Sequence, residues 1–170
     1  MLRGDAFYAL KVESVDTTMS QSVYLQTYGC QMNEYDSELI RSILIDKGYH
    51  FTSTTDEAEV ILLNTCAIRE NAHRKIYGLL DTFRPLKKQR AKEARPFVVG
   101  ILGCMAQNLK ETLLDHPVVN LVFGPDNYLA LPDLIGNVVQ TAQDEIDAYL
   151  SEYETYSDIA PVRQEGVNAW

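Results

Sequence analysis

Val23-Tyr24-Leu25-Gln26-Thr27-Tyr28-Gly29-Cys30-Gln31-Met32-Asn33-Glu34 joins two different periodicities. Up to Tyr28 the run alternates as a strand does, and beyond it Leu39, Ile40, Ile43 and Leu44 recur at helical spacing. The Gly29-Cys30 step is therefore a strand-to-helix turn. Gly29 allows the sharp bend, and Asn33 with Asp36 is expected to form a capping box, although Asp is shorter than the usual Glu. Cys30 lies just ahead of a helix amino terminus, where unpaired N–H groups and the helix dipole favour a thiolate. The arrangement recurs twice. Val60–Thr65 leads to Cys66, and Phe97–Gly103 leads to Cys104.

Working outward, residues 1–22 read as an amino-terminal extension, and the first helix ends near Lys47-Gly48. A second helix carries Ile68, Ala72, Ile76, Leu79, Leu80 and Phe83 on one face, and Pro85 is expected to mark its end. A short helix after Cys104 stops at His116-Pro117, and Val118–Phe123 is read as a fourth strand. The turn Gly124–Asn127 enters a helix with Leu131, Leu134, Ile135, Val138 and Val139, and Ile146, Ala148 and Leu150 suggest a fifth, edge strand. Near-continuous apolar strands alternating with helices predict an α/β fold, a doubly wound, mainly parallel four- to five-stranded sheet with helices on both faces. The domain is placed at residues 23–150. Residues 151–170 read as linker and the start of a further domain, since Val167–Trp170 opens like a strand, and the chain is expected to be a fragment.

The charge of −9, and the six acidic and no basic side chains of residues 141–158, argue against strong nucleic-acid binding by this chain alone. The exception is Arg84–Arg95, with six basic residues and one acidic, read as a solvated helix end and loop with nucleic-acid contact as the alternative. No signal peptide or membrane-spanning run is recognised, and three cysteines suit a reducing cytoplasm better than a disulfide framework.

Cys30 to Cys66 is 36 residues and Cys66 to Cys104 is 38, one strand–helix unit each. That period brings three thiols to one sheet edge, the edge where ligands of such folds bind. A redox pair would need Cys-x-x-Cys, and structural zinc prefers four ligands. Neither pattern is present; His50, His73 and His116 read as surface or loop residues. Three thiolates suit an iron–sulfur cluster with one iron free of protein ligand, while burial of thiols in the core stays open as the plain alternative. Neither a dinucleotide-binding G-x-G-x-x-G nor a Walker A loop occurs.

Four pieces carry a family resemblance: Tyr28–Ser37; Asn64–Glu70 with Ala72 and Lys75; Gly103–Ala106; and Val122–Pro125. Over about residues 22–140 the chain resembles the amino-terminal domain of the radical-SAM tRNA methylthiotransferases. Its Gly-Cys-Gln-Met-Asn and Asn-Thr-Cys-Ala-Ile-Arg-Glu look like the MiaB type, which acts on C2 of N6-isopentenyladenosine beside the anticodon. The resemblance implies that Cys30, Cys66 and Cys104 bind an auxiliary 4Fe-4S cluster whose open iron carries the transferred sulfur. It also implies a radical-SAM 4Fe-4S cluster and S-adenosylmethionine in the full-length enzyme, with tRNA and sulfur or iron–sulfur donor proteins as partners and no membrane. The Cys-x-x-x-Cys-x-x-Cys motif that holds the radical cluster is absent from these residues, so no catalytic residue is expected here and the piece is expected to be inactive alone. Two alternatives are a methylthiotransferase acting on another substrate and a stand-alone binding or scaffold domain with buried thiols.

Overall fold

The computed structural model describes residues 21–66, 70–125, 127–141 and 144–147, and of residues 70–72 the backbone alone. The expected 1–22 extension (but for its last two residues), Ile68, the side chain of Ala72, Ala148, Leu150 and the 151–170 linker lie outside them. The first alternating run forms β1 (Ser22–Tyr28), followed by α1 (Gln31–Asp46) and a two-residue strand β2 (His50–Phe51). Next come β3 (Val60–Thr65), α2 (Glu70–Thr82), α3 (Arg84–Lys92) and β4 (Val98–Leu102). The chain continues with α4 (Cys104–Leu109), a 3₁₀ turn at Lys110–Leu113, β5 (Leu121–Phe123), a second 3₁₀ turn at Tyr128–Ala130, α5 (Leu131–Thr141) and β6 (Glu145–Asp147).

All strands pair in parallel, in the order β2-β1-β3-β4-β5-β6. This is the doubly wound order 2-1-3-4-5 with one more edge strand. The chain moves one way from β1 to β2 and the other way from β3 onward, so the switch point lies between β1 and β3. Every residue of β3, β4 and β5 is buried, because helices cover both faces. Val23, Leu25, Val60 and Leu62 pack with α1 and α5, while Ile61, Leu63, Val99 and Ile101 pack with α2 and α4. Removing one such Leu or Ile side chain from water contributes about 1.5–3 kcal/mol.

Several expectations are corrected. Among the described residues the sheet has six strands rather than four or five, because the two-residue β2 is too short to show a period. The strand expected at Val118–Phe123 spans only Leu121–Phe123, and Val118 and Val119 are buried in the loop before β5, whereas the edge strand expected at Ile146 is present as Glu145–Asp147. Pro85 begins α3 rather than ending α2, since a missing N–H is harmless in a first helical turn. The solvated helix end and loop expected for Arg84–Arg95 is therefore mostly a helix of its own. The helix cap also moves: Cys30 is the N-cap of α1 and Asn33 its third residue, closing the box back onto Cys30. Asp36 instead accepts a hydrogen bond from the Tyr128 hydroxyl at 3.2 Å.

Candidate functional site

The three cysteines leave the carboxyl ends of β1, β3 and β4, which are neighbours in the sheet. Tyr28 is level with Thr65 and Asn64 with Leu102, so the strands end together. With about 5 Å between adjacent strands, the turns stand side by side at the switch point. Cys30 and Cys104 are exposed and Cys66 is half-buried; its N–H donates to the Tyr28 carbonyl at 3.1 Å.

The electrostatics differ along this row. Backbone N–H groups of Asn33 and then Met32 pull the Cys30 thiol below the ordinary range, helped by a hydrogen bond from Cys66. The Cys104 thiol is pushed up, first by desolvation and then by the charges of Cys66, Asp36 and Cys30. Ionisation of Cys104 is thus opposed by burial and by neighbouring negative charge, a repulsion that a shared cationic centre relieves. In number and chemistry they fit an iron–sulfur group with an open position. Among the described residues no group of three or more His, Cys, Asp or Glu side chains is disposed to hold a metal ion. The three thiols share one edge, with Cys66 in hydrogen-bond contact with Cys30.

Under the turns lies a polar network that the sequence reading did not assign. Asn33 and Asn64, 1% and 0% exposed, hydrogen-bond to each other, and Ser37 links them to Thr27. The available signal was Asn64 itself, a polar residue closing an apolar run in a strand covered on both faces. Tyr28, Met32 and Tyr35, three large exposed apolar side chains, flank Cys30.

The basic run lies at the other end of the sheet. Arg90 is 2% exposed, and its guanidinium donates to the carbonyls of Asp56 and Ala58 ahead of β3. Lys87 donates to the Pro117 carbonyl at 2.7 Å, and burial pulls its pKa down. Arg84 pairs with Asp81 at 2.7 Å. Of the expected solvated charges, Arg90 is a core residue whose charge satisfies loop carbonyls. His116, read as a surface or loop residue, lies in a loop but is nearly buried, against Asp81 at 3.3 Å.

Among the described residues no helix is long and apolar enough to cross a membrane. Residues 22–124 match the family described as "Uncharacterized protein family UPF0004". The chain is 42% identical over 156 residues to the tRNA-2-methylthio-N(6)-dimethylallyladenosine synthase of Porphyromonas gingivalis, covering 92% of the chain and 33% of that relative. It is 44% identical over 161 residues to the synthase of the same description from Chloroherpeton thalassium, covering 94% and 35%. The chain spans about a third of the length of the curated relatives it matches.

Proposed function

The chain belongs to the UPF0004 family and is homologous to the tRNA-2-methylthio-N(6)-dimethylallyladenosine synthases, and on that premise we propose that it is the sulfur-carrying domain of a tRNA methylthiotransferase. One observation carries the reading: three cysteines, one strand–helix unit apart, leave the carboxyl ends of three adjacent parallel strands at the switch point. In this reading Cys30, Cys66 and Cys104 hold an auxiliary 4Fe-4S cluster. Such a group, held by three thiolates, supplies one open iron as a position for the sulfur to be transferred.

The chain's own residues prepare that edge. Backbone N–H groups at the start of α1 favour the Cys30 thiolate, and the half-buried Cys66 stands between its two neighbours. The substrate is a tRNA adenosine carrying the N6-dimethylallyl group, modified at C2. All three cysteines are used as ligands here, so the radical-SAM cluster and S-adenosylmethionine act from residues outside these 170. The chain is accordingly inactive by itself and binds tRNA weakly, with its net charge of −9. A reducing cytoplasm and proteins that donate sulfur or iron–sulfur clusters complete the setting.

Anaerobic reconstitution with ferrous iron and sulfide tests the reading. The expected result is a brown chain with about four irons and an electron paramagnetic resonance signal after reduction. A chain that returns from desalting without iron overturns it.

A further inference from the structure

We infer that Asn33 and Asn64 form a buried amide clamp that holds the Cys30, Cys66 and Cys104 turns at a fixed spacing, making both asparagines positioning residues for the thiol set. The inference rests on the cluster reading for what the thiols hold. Its geometry stands without iron.

Each polar atom of the clamp has a directed task. Asn33 Oδ1 accepts from the Cys30 backbone N–H at 3.1 Å, fixing the first turn. Asn33 Nδ2 donates to Asn64 Oδ1 at 3.2 Å and to the Thr65 carbonyl at 3.5 Å, tying α1 to the residue before Cys66. Asn64 Nδ2 returns two bonds, to the Asn33 carbonyl at 2.9 Å and Ser37 Oγ at 3.0 Å. Both amide hydrogens of both side chains are thereby used. The amide orientations follow from the partners, because the Cys30 N–H demands an oxygen opposite it and the Asn33 carbonyl demands a nitrogen.

The third turn leans on the same pair. Gly103, immediately before Cys104, has φ of +83°. A Cβ there would lie 2.5 Å from Asn64 Oδ1, 2.7 Å from the Thr65 carbonyl and 3.2 Å from Asn33 Nδ2. Only a glycine lets the backbone approach the amides so closely. Gly29 meets the same limit from the other side, where a Cβ would collide with Asn33 Oδ1. Two glycines and two asparagines therefore set how far apart the cysteine turns can stand.

Replacing an asparagine with aspartate separates positioning from packing, since the size is unchanged while a donor becomes an acceptor. In Asn64→Asp, a carboxylate oxygen faces the Asn33 carbonyl and Ser37. The control is Ser22→Ala at the opposite end of β1, where Ser22 Oγ donates to the Glu57 carbonyl at 2.9 Å. Two probes are applied to the 170-residue chain: iron retained under a chelator after reconstitution, and the affinity of the apo chain for arsenite, which binds three thiolates at once. Residues supporting metal ligands typically change affinity by 10–100-fold. Asn64→Asp and Asn33→Ala are expected to lose about tenfold or more on both probes, with cooperative melting retained and Ser22→Ala unchanged. Asn33→Ala serves if Asn64→Asp does not fold. Unchanged arsenite affinity in a folded clamp variant overturns the clamp, as does a losing Ser22→Ala or an unmutated chain that does not bind arsenite. An unmutated chain that binds arsenite tightly yet holds no iron overturns the cluster reading alone.

Discussion

The two ends of the sheet solve one problem in different ways. At the amino ends, loops before β3 and β5 are closed by long cationic side chains, Arg90 onto the Asp56 and Ala58 carbonyls and Lys87 onto the Pro117 carbonyl. At the carboxyl ends, loops are closed by short amides and glycines, and Cys30 and Cys104 are left exposed. A long side chain reaches across a gap and tolerates displacement. Two asparagines in mutual contact do not, because their bonds span one peptide's width. The amino edge is thus fitted for holding the fold together, and the carboxyl edge for holding three sulfur atoms at set positions.

The sharpest way to break this contrast is at the thiols. Cys30→Ala, Cys66→Ala and Cys104→Ala are each expected to abolish stable iron incorporation while circular dichroism and melting stay near those of the unmutated chain. A Cys→Ala change removes one sulfur atom and costs at most a few kcal/mol of stability. Full iron and an unchanged resonance spectrum in two of the three would return those positions to the role of packed thiols.

Arg90→Ala should give the opposite pattern. It opens a cavity and strips buried carbonyls of their donor, at a cost of about 3 kcal/mol. Denaturant midpoints should fall accordingly, with iron per folded chain unchanged. Iron loss without loss of stability would dissolve the division of labour between the edges.

Gly103→Ala sharpens the comparison from the thiol side. A side chain at φ +83° against Asn64 Oδ1 is strained, at about 1–3 kcal/mol. Chemical denaturation should register that loss, and iron retention should fall with it.

The smallest effect is in thiol chemistry. Cys30 has its pKa lowered and Cys104 has it raised, so with rising pH the Cys30 thiolate forms first. Below the ordinary thiol range, at about pH 7, iodoacetamide should alkylate Cys30 ahead of Cys104 in the apo chain, by a fewfold margin that narrows toward pH 10. Mass spectrometry of the peptides reads the order, and equal rates across the range would remove the electrostatic asymmetry.

Much of this was legible beforehand, because apolar runs report strands covered on both faces and strand-end cysteines report the sheet edge. Part of what escaped has one cause. Asn33 and Asn64 stand 31 residues apart, and Arg90 stands 34 from Asp56, so each partner is invisible to a local window. Arg90 also sits among five other cations, where it resembles surface charge. Cys30 took the N-cap assigned to Asn33 because Asn33 bonds backward to the turn. The His50–Phe51 strand pairs through only two residues and leaves no period to detect.

Residues 93–96, between α3 and β4, are exposed at the amino edge. Phe97, the five residues of β4 and Gly103 separate them from Cys104, and β4 alone spans about 17 Å. That separation makes the loop a natural attachment point. A dye or surface tether placed there would lie within energy-transfer range of a chromophore at the thiols without touching them, so that loading of single immobilised chains could be watched as quenching.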